Sequence, residues 1–261
     1  MRPTNRTRLN VQSLESREVP ACLVTHPTAD TVVITGDAAN DLVVIRDNGA
    51  GVVTGFATGF GVFGFAGIKN IRVATGAGDD HVDYNLTANL LPNQVRTLAA
   101  SLGSGNDWFS ANLHNPATAV GSDLLFNSHM TIAAFGGDGK DSMHINANND
   151  VDVAAGASLK MLMFGEAGND LLTAFYRGEN DGMVALQELD GGTGDDVIRA
   201  VYQADPGSNG SALGIAHGRD GNDAISLFLI GPNVSPLSLL DGGPGTDSGF
   251  HSSNVTMINV P

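Results

Sequence analysis

The sequence predicts an all-β, single-domain parallel β-helix, and three observations lead to that fold class. A glycine-rich turn that ends in aspartate recurs along the 261-residue chain. Apolar residues flank each copy at fixed positions, and glycine accounts for 34 of the 261 residues. A repeated unit that cannot bury its own apolar face must stack on its neighbours, which is the organisation of a solenoid.

The repeated turn is clearest at residues 191–196, where it reads Gly-Gly-Thr-Gly-Asp-Asp. We number the turn so that its last residue, the anchor aspartate, is position six. Seven copies have the anchors Asp80, Asp107, Asp141, Asp170, Asp196, Asp223 and Asp247, and a degraded copy precedes them with Asp41. Counted from Asp41, successive anchors lie 39, 27, 34, 29, 26, 27 and 24 residues apart, which is a near-constant period.

Each turn leads into an alternating segment. Position eight is apolar in six copies, and the residue after it is mostly polar, as in Asp83 and His144. Alternation of period two indicates a strand with one face turned inward. A period near 27 residues fits a rung of three short strands and three corners, so we predict a three-sided coil with rungs about 4.8 Å apart. The general handedness of parallel crossovers favours a right-handed coil.

Composition excludes several classes of function. Of the 28 acidic residues 23 are Asp, the net charge is −15, and the 13 Lys and Arg form no basic run, so nucleic acid is not an expected partner. The single cysteine, Cys22, excludes an intramolecular disulfide. No segment approaches the roughly 20 apolar residues of a membrane helix, so no transmembrane segment is expected.

The pattern divides the chain into three parts. Residues 1–22 are basic and polar and read as a flexible leader or tail, without the apolar core of a secretory signal. Residues 23–70 carry strand-like runs around a Gly- and Phe-rich piece at 55–65, and we predict an N-terminal hairpin cap there, since terminal repeats are atypical. Residues 71–261 form the predicted solenoid.

The stretch Leu14-Glu-Ser-Arg-Glu-Val-Pro-Ala21 resembles the short Leu-Glu-x-Arg leader of many large exported bacterial surface proteins. The resemblance covers eight residues and implies an extracellular or cell-surface location. A tail without that role explains the same residues, since chain termini are commonly unstructured.

The turns themselves resemble the hemolysin-type calcium-binding repeat of RTX (repeats-in-toxin) proteins, Gly-Gly-x-Gly-x-Asp-x-apolar-x, over roughly residues 71–251. The resemblance implies Ca²⁺ between successive turns, held by carboxylates and backbone carbonyls. It implies as ligands the seven anchors, Asp79 and Asp195 at position five, and the turn glycines Gly76, Gly78, Gly103, Gly105, Gly192, Gly194, Gly221, Gly243 and Gly245. Because each rung has only one motif, ions are expected on one edge.

Electrostatics leads to the same expectation. Two carboxylates about 5 Å apart repel by about 0.8 kcal/mol even in water, and a divalent cation reverses the sign. Calcium accepts six to eight oxygen ligands in loose geometry, whereas zinc prefers nitrogen and sulfur. The alternative is a set of ordinary Gly-Asp corners with no metal.

A second row is expected five residues after each anchor. It comprises Asn85, Asn112, Asn146, Phe175, Val201 and Phe228. Stacked amides can hydrogen-bond along a ladder, although turn propensity alone can place asparagine at corners.

The leading functional interpretation is a non-enzymatic, exported calcium-binding module that acts at a surface, in a matrix or in adhesion. Its expected partners are calcium and a cell-surface polysaccharide or matrix protein. The alternative is a carbohydrate-active β-helix enzyme, a polysaccharide lyase or hydrolase, using paired carboxylates such as Asp150 and Asp152. A groove of carboxylates and aromatic residues on a strand face would favour the enzyme.

Overall fold

The computed structural model of the protein describes residues 22–115 and 120–260, which form an all-β structure of two sheets. The leader-like stretch 14–21 and residues 116–119 of the loop after His114 lie outside the described residues. In chain order the strands are β1 (Leu23–Thr28), β2 (Thr31–Thr35), β3 (Leu42–Asp47), β4 (Val53–Ala57), β5 (Gly61–Phe65), β6 (Asn70–Ala77), β7 (His81–Leu86), β8 (Val95–Ser104), β9 (Trp108–Asn112), β10 (His129–Asp138), β11 (Ser142–Ala147), β12 (Ser158–Ala167), β13 (Leu171–Gly178), β14 (Met183–Thr193), β15 (Val197–Ala204), β16 (Ser211–Asp220), β17 (Ala224–Ile230), β18 (Leu239–Asp241), β19 (Ser248–His251) and β20 (Thr256–Ile258).

The two sheets run side by side along the coil. Sheet A has the order β1-β2-β6-β8-β10-β12-β14-β16-β18-β20, and sheet B has the order β19-β17-β15-β13-β11-β9-β7-β3-β4-β5. From β6 onward every described strand pairs in parallel with the strand one rung away, as in β10 with β12 and β11 with β13. Each rung therefore passes from sheet A through the glycine turn into sheet B, and the all-β, mostly parallel fold class is confirmed.

Apart from one isolated bridge between His114 and Gly121, antiparallel pairing in the described chain is confined to its N-terminal part. β1 pairs with β2, and β3, β4 and β5 form an antiparallel meander around the Gly- and Phe-rich piece. These strands cover the first rung of each sheet, where the sequence predicts a hairpin cap.

The third side of the coil is not a strand. After sheet B, single-residue parallel bridges join neighbouring rungs before each rung returns to sheet A. They link Leu90 to Leu124, Leu124 to Val153 and Val153 to Asn180. A long strand in sheet A, up to eleven residues in β14, takes most of the rung length. The predicted three sides thus become two sheets and one narrow corner.

Alternation places the core between the sheets. In β10 and β12 every second residue is buried, and the same period runs through β8 and β16. The inward residues of neighbouring rungs stack, as in Tyr176 and Tyr202, whose ring centroids lie 5.2 Å apart. A single rung would leave these side chains in water, so stacking and folding occur together.

One buried charged cluster interrupts the apolar core near the N-terminal end. The Arg96 guanidinium bonds both carboxylate oxygens of Asp47, and the Tyr84 hydroxyl donates to Asp47 Oδ2 at 2.9 Å. All three residues are fully buried. Arg96 also donates to the carbonyl oxygen of Ile68, so this cluster ties the cap to the first rungs of the coil.

Candidate metal-binding edge

The anchor aspartates form one continuous ladder along the turn edge. The backbone N–H of Asp80 donates to Asp107 Oδ1 at 2.7 Å, and that of Asp107 donates to Asp141 Oδ1 at 2.8 Å. The same bond recurs at 2.7–2.8 Å in every step from Asp41 to Asp247. The sequence-predicted column is therefore present, and each anchor connects two rungs by itself.

The second oxygen of each anchor carboxylate is unsatisfied. The anchors are at most 5 % exposed, and Oδ2 has no hydrogen-bond partner in Asp80, Asp107, Asp141, Asp170, Asp196, Asp223 or Asp247. A β-carbon at Gly191 would lie 2.2 Å from Asp196 Oδ2 and 2.8 Å from the carbonyl oxygen of Gly218 on the next rung. Glycine at position one therefore makes room for a carboxylate oxygen and a neighbouring carbonyl oxygen on the same side of the backbone.

Burial sets the acidity of the column. It raises the pKa of Asp107 to about 6, that of Asp170 to about 7 and that of Asp196 to about 6. The hydrogen bond from the neighbouring backbone N–H opposes the shift, and neighbouring carboxylates add to it. Buried carboxylates that hold less charge than usual are groups that a cation would stabilise in the ionised form.

These shifts predict an unusual pH dependence of stability in the absence of cations. An acid whose pKa is raised by folding stabilises the fold below its unfolded value of 3.8 and loses that contribution as pH rises to about 7. We expect the chain in excess chelator to melt at a higher temperature at pH 5 than at pH 8. Circular dichroism melts at the two pH values measure this difference, and a higher melting temperature at pH 8 would contradict the assignment.

A second ladder runs beside the first in the opposite direction. At position five, Asn40 Oδ1 accepts the N–H of Asp79 at 2.9 Å, and Asp79 Oδ1 accepts that of Asn106 at 2.8 Å. The pattern resumes at Asn169, whose Oδ1 accepts the N–H of Asp195 at 3.1 Å. Lys140 has no oxygen to offer in its side chain, so the ladder is interrupted between the rungs of Asp141 and Asp170.

Position four places a backbone oxygen in the same edge. Gly78 and Gly105 both have positive φ, and a β-carbon on Gly105 would lie 1.9 Å from the Gly78 carbonyl oxygen. On a later rung, a β-carbon on Gly194 would meet Gly168 O at 2.0 Å and Asn169 Oδ1 at 2.8 Å. Carbonyl and amide oxygens therefore lie beside position four of the next turn, while a carboxylate and a carbonyl oxygen lie beside position one.

This close approach predicts a large effect of a single methyl group. Gly105→Ala should destabilise the fold by roughly 1–3 kcal/mol more than Gly207→Ala, because overpacking displaces the turn. Gly207 is the matched control, since it also has positive φ but a β-carbon there meets nothing within 4 Å. Denaturant unfolding of both variants gives the comparison, and equal losses would show that only backbone strain matters.

The side-chain and backbone atoms at this edge are oxygen donors, which suit a hard cation. Among the described residues, no three His, Cys, Asp or Glu side chains converge as a metal-binding group. A cation between two rungs would therefore take at most two carboxylates and complete its shell with carbonyl oxygens and water. Calcium tolerates such a mixed oxygen shell, and nothing in the turns favours zinc.

The residues of the predicted second row lie side by side in adjacent strands, but their side chains do not form the predicted hydrogen bonds. Asn85, Asn112 and Asn146 pair in adjacent strands, and Phe175, Val201 and Phe228 continue the row. Their amides bond other groups, however: Asn112 Nδ2 donates to Ser110 Oγ at 3.0 Å, and Asn146 Oδ1 accepts the N–H of Asn148. The expected amide ladder is therefore absent from this row.

Sequence reasoning missed a third ladder on the narrow corner. Asn89 Oδ1 accepts the N–H of Asp123, Asp123 Oδ1 that of Asp152, and Asp152 Oδ1 that of Glu179, all at 2.8–3.0 Å. The sequence does place acidic or amide residues one rung apart at these positions. No glycines or recognisable motif accompany them, so the repeat is hard to see. Asp150, which the sequence pairs with Asp152, has positive φ and belongs to the turn before this corner.

A cavity of about 250 Å³ opens beside that corner, and Asp123, Asp152, Glu179 and Asp181 are among its lining residues. Its other lining residues are aliphatic and none is aromatic. It therefore has the carboxylates but not the aromatic residues that would favour the carbohydrate-active enzyme.

Comparison with known protein families, with curated proteins and with solved structures finds no match for this chain. Within the described ranges, no helix has the length and apolarity needed to cross a membrane.

Proposed function

We propose that this chain is a non-enzymatic calcium-binding β-solenoid of the RTX-like type. The observation that carries the proposal is the unsatisfied Oδ2 of the buried anchors, repeated from Asp80 to Asp247, with a neighbouring carbonyl oxygen beside it at each turn whose position one is glycine. An unpaired buried acceptor is costly, and a cation between rungs would satisfy two of them at once. Two anchors would hold the ion directly, with position-four carbonyls and water completing its shell, and the position-five carboxylates of Asp79 and Asp195 would reach it through water.

The direct test is calorimetric titration of the purified chain with Ca²⁺ and, separately, with Mg²⁺. We expect saturable heat with calcium and a rise in melting temperature, and a much weaker response to magnesium because it demands a strict octahedron. Neither heat nor a change in melting temperature with calcium would overturn the proposal, and the turns would then be corners held by their hydrogen bonds alone.

We further propose that the module is exported and works at a cell surface or in an extracellular matrix, where it binds a surface polysaccharide or matrix protein. The support is the Leu-Glu-x-Arg stretch, the net charge of −15, and calcium binding itself, which is suited to calcium-rich surroundings. Recovery of a tagged chain from the culture medium or outer surface of its host is the expected result. Retention in the cell interior would contradict it.

A further inference from the structure

The outer faces of the two sheets differ in how their apolar residues are distributed. On sheet B the outward residues are mixed: Asp83, Ser110 and His144 are polar, with bonds such as Ser110 to Asp83, whereas Phe175, Val201 and Phe228 form one short apolar row. On sheet A the outward row is largely apolar. It reads Val33, Arg72, Ala99, Ala133, Leu162, Glu188, Ile215 and Leu239 across successive rungs.

A second outward row lies beside the first on sheet A. It passes from Ala74 through Ser101, Phe135 and Phe164 to Asp190. Phe135 and Phe164 stack with centroids 4.9 Å apart, and both remain partly exposed. This row continues through His217 to Asp241, so the apolar part of the outer face of sheet A is centred on β10 and β12, on a chain with a net charge of −15.

The face has a step at its middle strand, β10. On one side the residues are small, with Ala99 and Ser101 lining a depression of about 300 Å³ that ends at Phe135. On the other side Leu162 and Phe164 take the same places in the two rows. A surface with a hollow on one side of a line and equal projections on the other can fit a second copy of itself.

The charges are arranged about the same line. Arg72 lies two rungs before β10 in the first row, and the exposed Glu188 lies two rungs after it. If a second copy is turned about an axis along β10, each Arg72 faces the Glu188 of the other copy. In the same arrangement Leu162 faces Ala99, Phe164 faces Ser101, and Val33 faces Ile215.

From these observations we propose that two copies of this chain associate through the outer face of sheet A, about a two-fold axis that runs along β10. An isologous interface uses one self-complementary patch on both subunits, as the step and the charges require. Nine stacked strands at about 4.8 Å span about 40 Å, and a third outward row, which includes Thr97, Thr131 and Lys160, widens the face to about 20 Å. The whole face therefore offers roughly 800 Å² per partner, the size of a stable interface.

Sedimentation velocity of the full chain, in excess calcium and in excess chelator, tests the proposal. We expect a dimer that Leu162→Asp disrupts, while Val201→Asp, a matched change on the outer face of sheet B, leaves it intact. Thermal melts of both variants verify that each remains folded. A wild-type chain that stays monomeric overturns the proposal, whether another segment of the chain, such as residues 1–21, occupies the face or the face stays free. A dimer that Leu162→Asp leaves unchanged overturns it too.

A charge exchange gives the sharper result. Arg72→Glu and Glu188→Arg should each weaken self-association at least about tenfold, because each places like charges opposite one another. An equimolar mixture of the two variants should form a heterodimer, since both of its charged contacts are again of opposite sign. Failure of the mixture to associate beyond the separate variants would overturn the two-fold arrangement. Calcium binding is measured separately by titration, so failure of the dimer proposal leaves the calcium proposal unaffected, and the reverse also holds.

Discussion

In excess calcium the wild-type chain should melt many degrees higher than in excess chelator, and the pair Asp196→Asn and Asp223→Asn should lose most of that difference. A ligand that binds only the folded state adds about 2.7 kcal/mol per site at a hundredfold excess over its dissociation constant. Each kcal/mol corresponds to about 2–4 °C for a domain of 150–250 residues. The anchors from Asp170 to Asp247 have the most regular spacings, so their gaps should bind best.

Asparagine is the informative substitution at these two anchors. Its side-chain oxygen can still accept the hydrogen bonds that Asp196 Oδ1 and Asp223 Oδ1 accept at 2.8 Å, while the charge needed by a cation is lost. In chelator at pH 8 the variant should melt no lower than the wild type, because burial raises the pKa of both carboxyl groups.

The control is Asp41→Asn, which removes a buried carboxylate from the same column in the degraded first copy. It should leave nearly the whole calcium-dependent shift in place. Equal melting temperatures for the wild type in calcium and in chelator would refute calcium binding. Retention of the full shift by the double variant would refute the assignment of the ligands.

Arg96→Met should destabilise the fold by about 3–5 kcal/mol, because it leaves the fully buried Asp47 carboxylate without its counter-charge. Adding Asp47→Asn should recover a large part of the loss, since the remaining group is neutral and can still accept the N–H of Gly49, which lies 2.8 Å from Asp47 Oδ1. Denaturant unfolding at 25 °C measures both variants.

The matched control for this pair is Arg46→Met on the same strand as Asp47. Arg46 is exposed on the opposite face of β3, so its loss should change stability by less than about 0.5 kcal/mol. A loss of stability for Arg96→Met no larger than that for Arg46→Met would show that the buried pair contributes little. A double variant less stable than Arg96→Met alone would show that the cluster is held by more than its charges.

Two features of the edge were predictable because they follow from repetition. Once the anchors recur in phase with apolar residues, stacking brings Asp80, Asp107 and their counterparts into one column. The same reasoning gave the register of the row from Asn85 to Phe228. The ladder bonds were not predictable, because a carboxylate in a turn can face an ion, water or a backbone N–H, and sequence spacing does not distinguish these partners.

Sequence alone determined that this chain is all-β, that its rungs stack mostly in parallel from about residue 71 onward, and that its anchor aspartates share one edge. Local periodicity specifies which residues point inward and how often the chain turns. The fold class, the parallel stacking and the shared edge all follow from these two facts. Only the tertiary structure decided that the third side shrinks to single bridges between residues such as Leu124 and Val153, that Oδ1 of each anchor bonds the next rung, and that Arg96 reaches Asp47. Arg96 and Asp47 lie 49 residues apart, and such contacts depend on how whole rungs overlap, which no local pattern records.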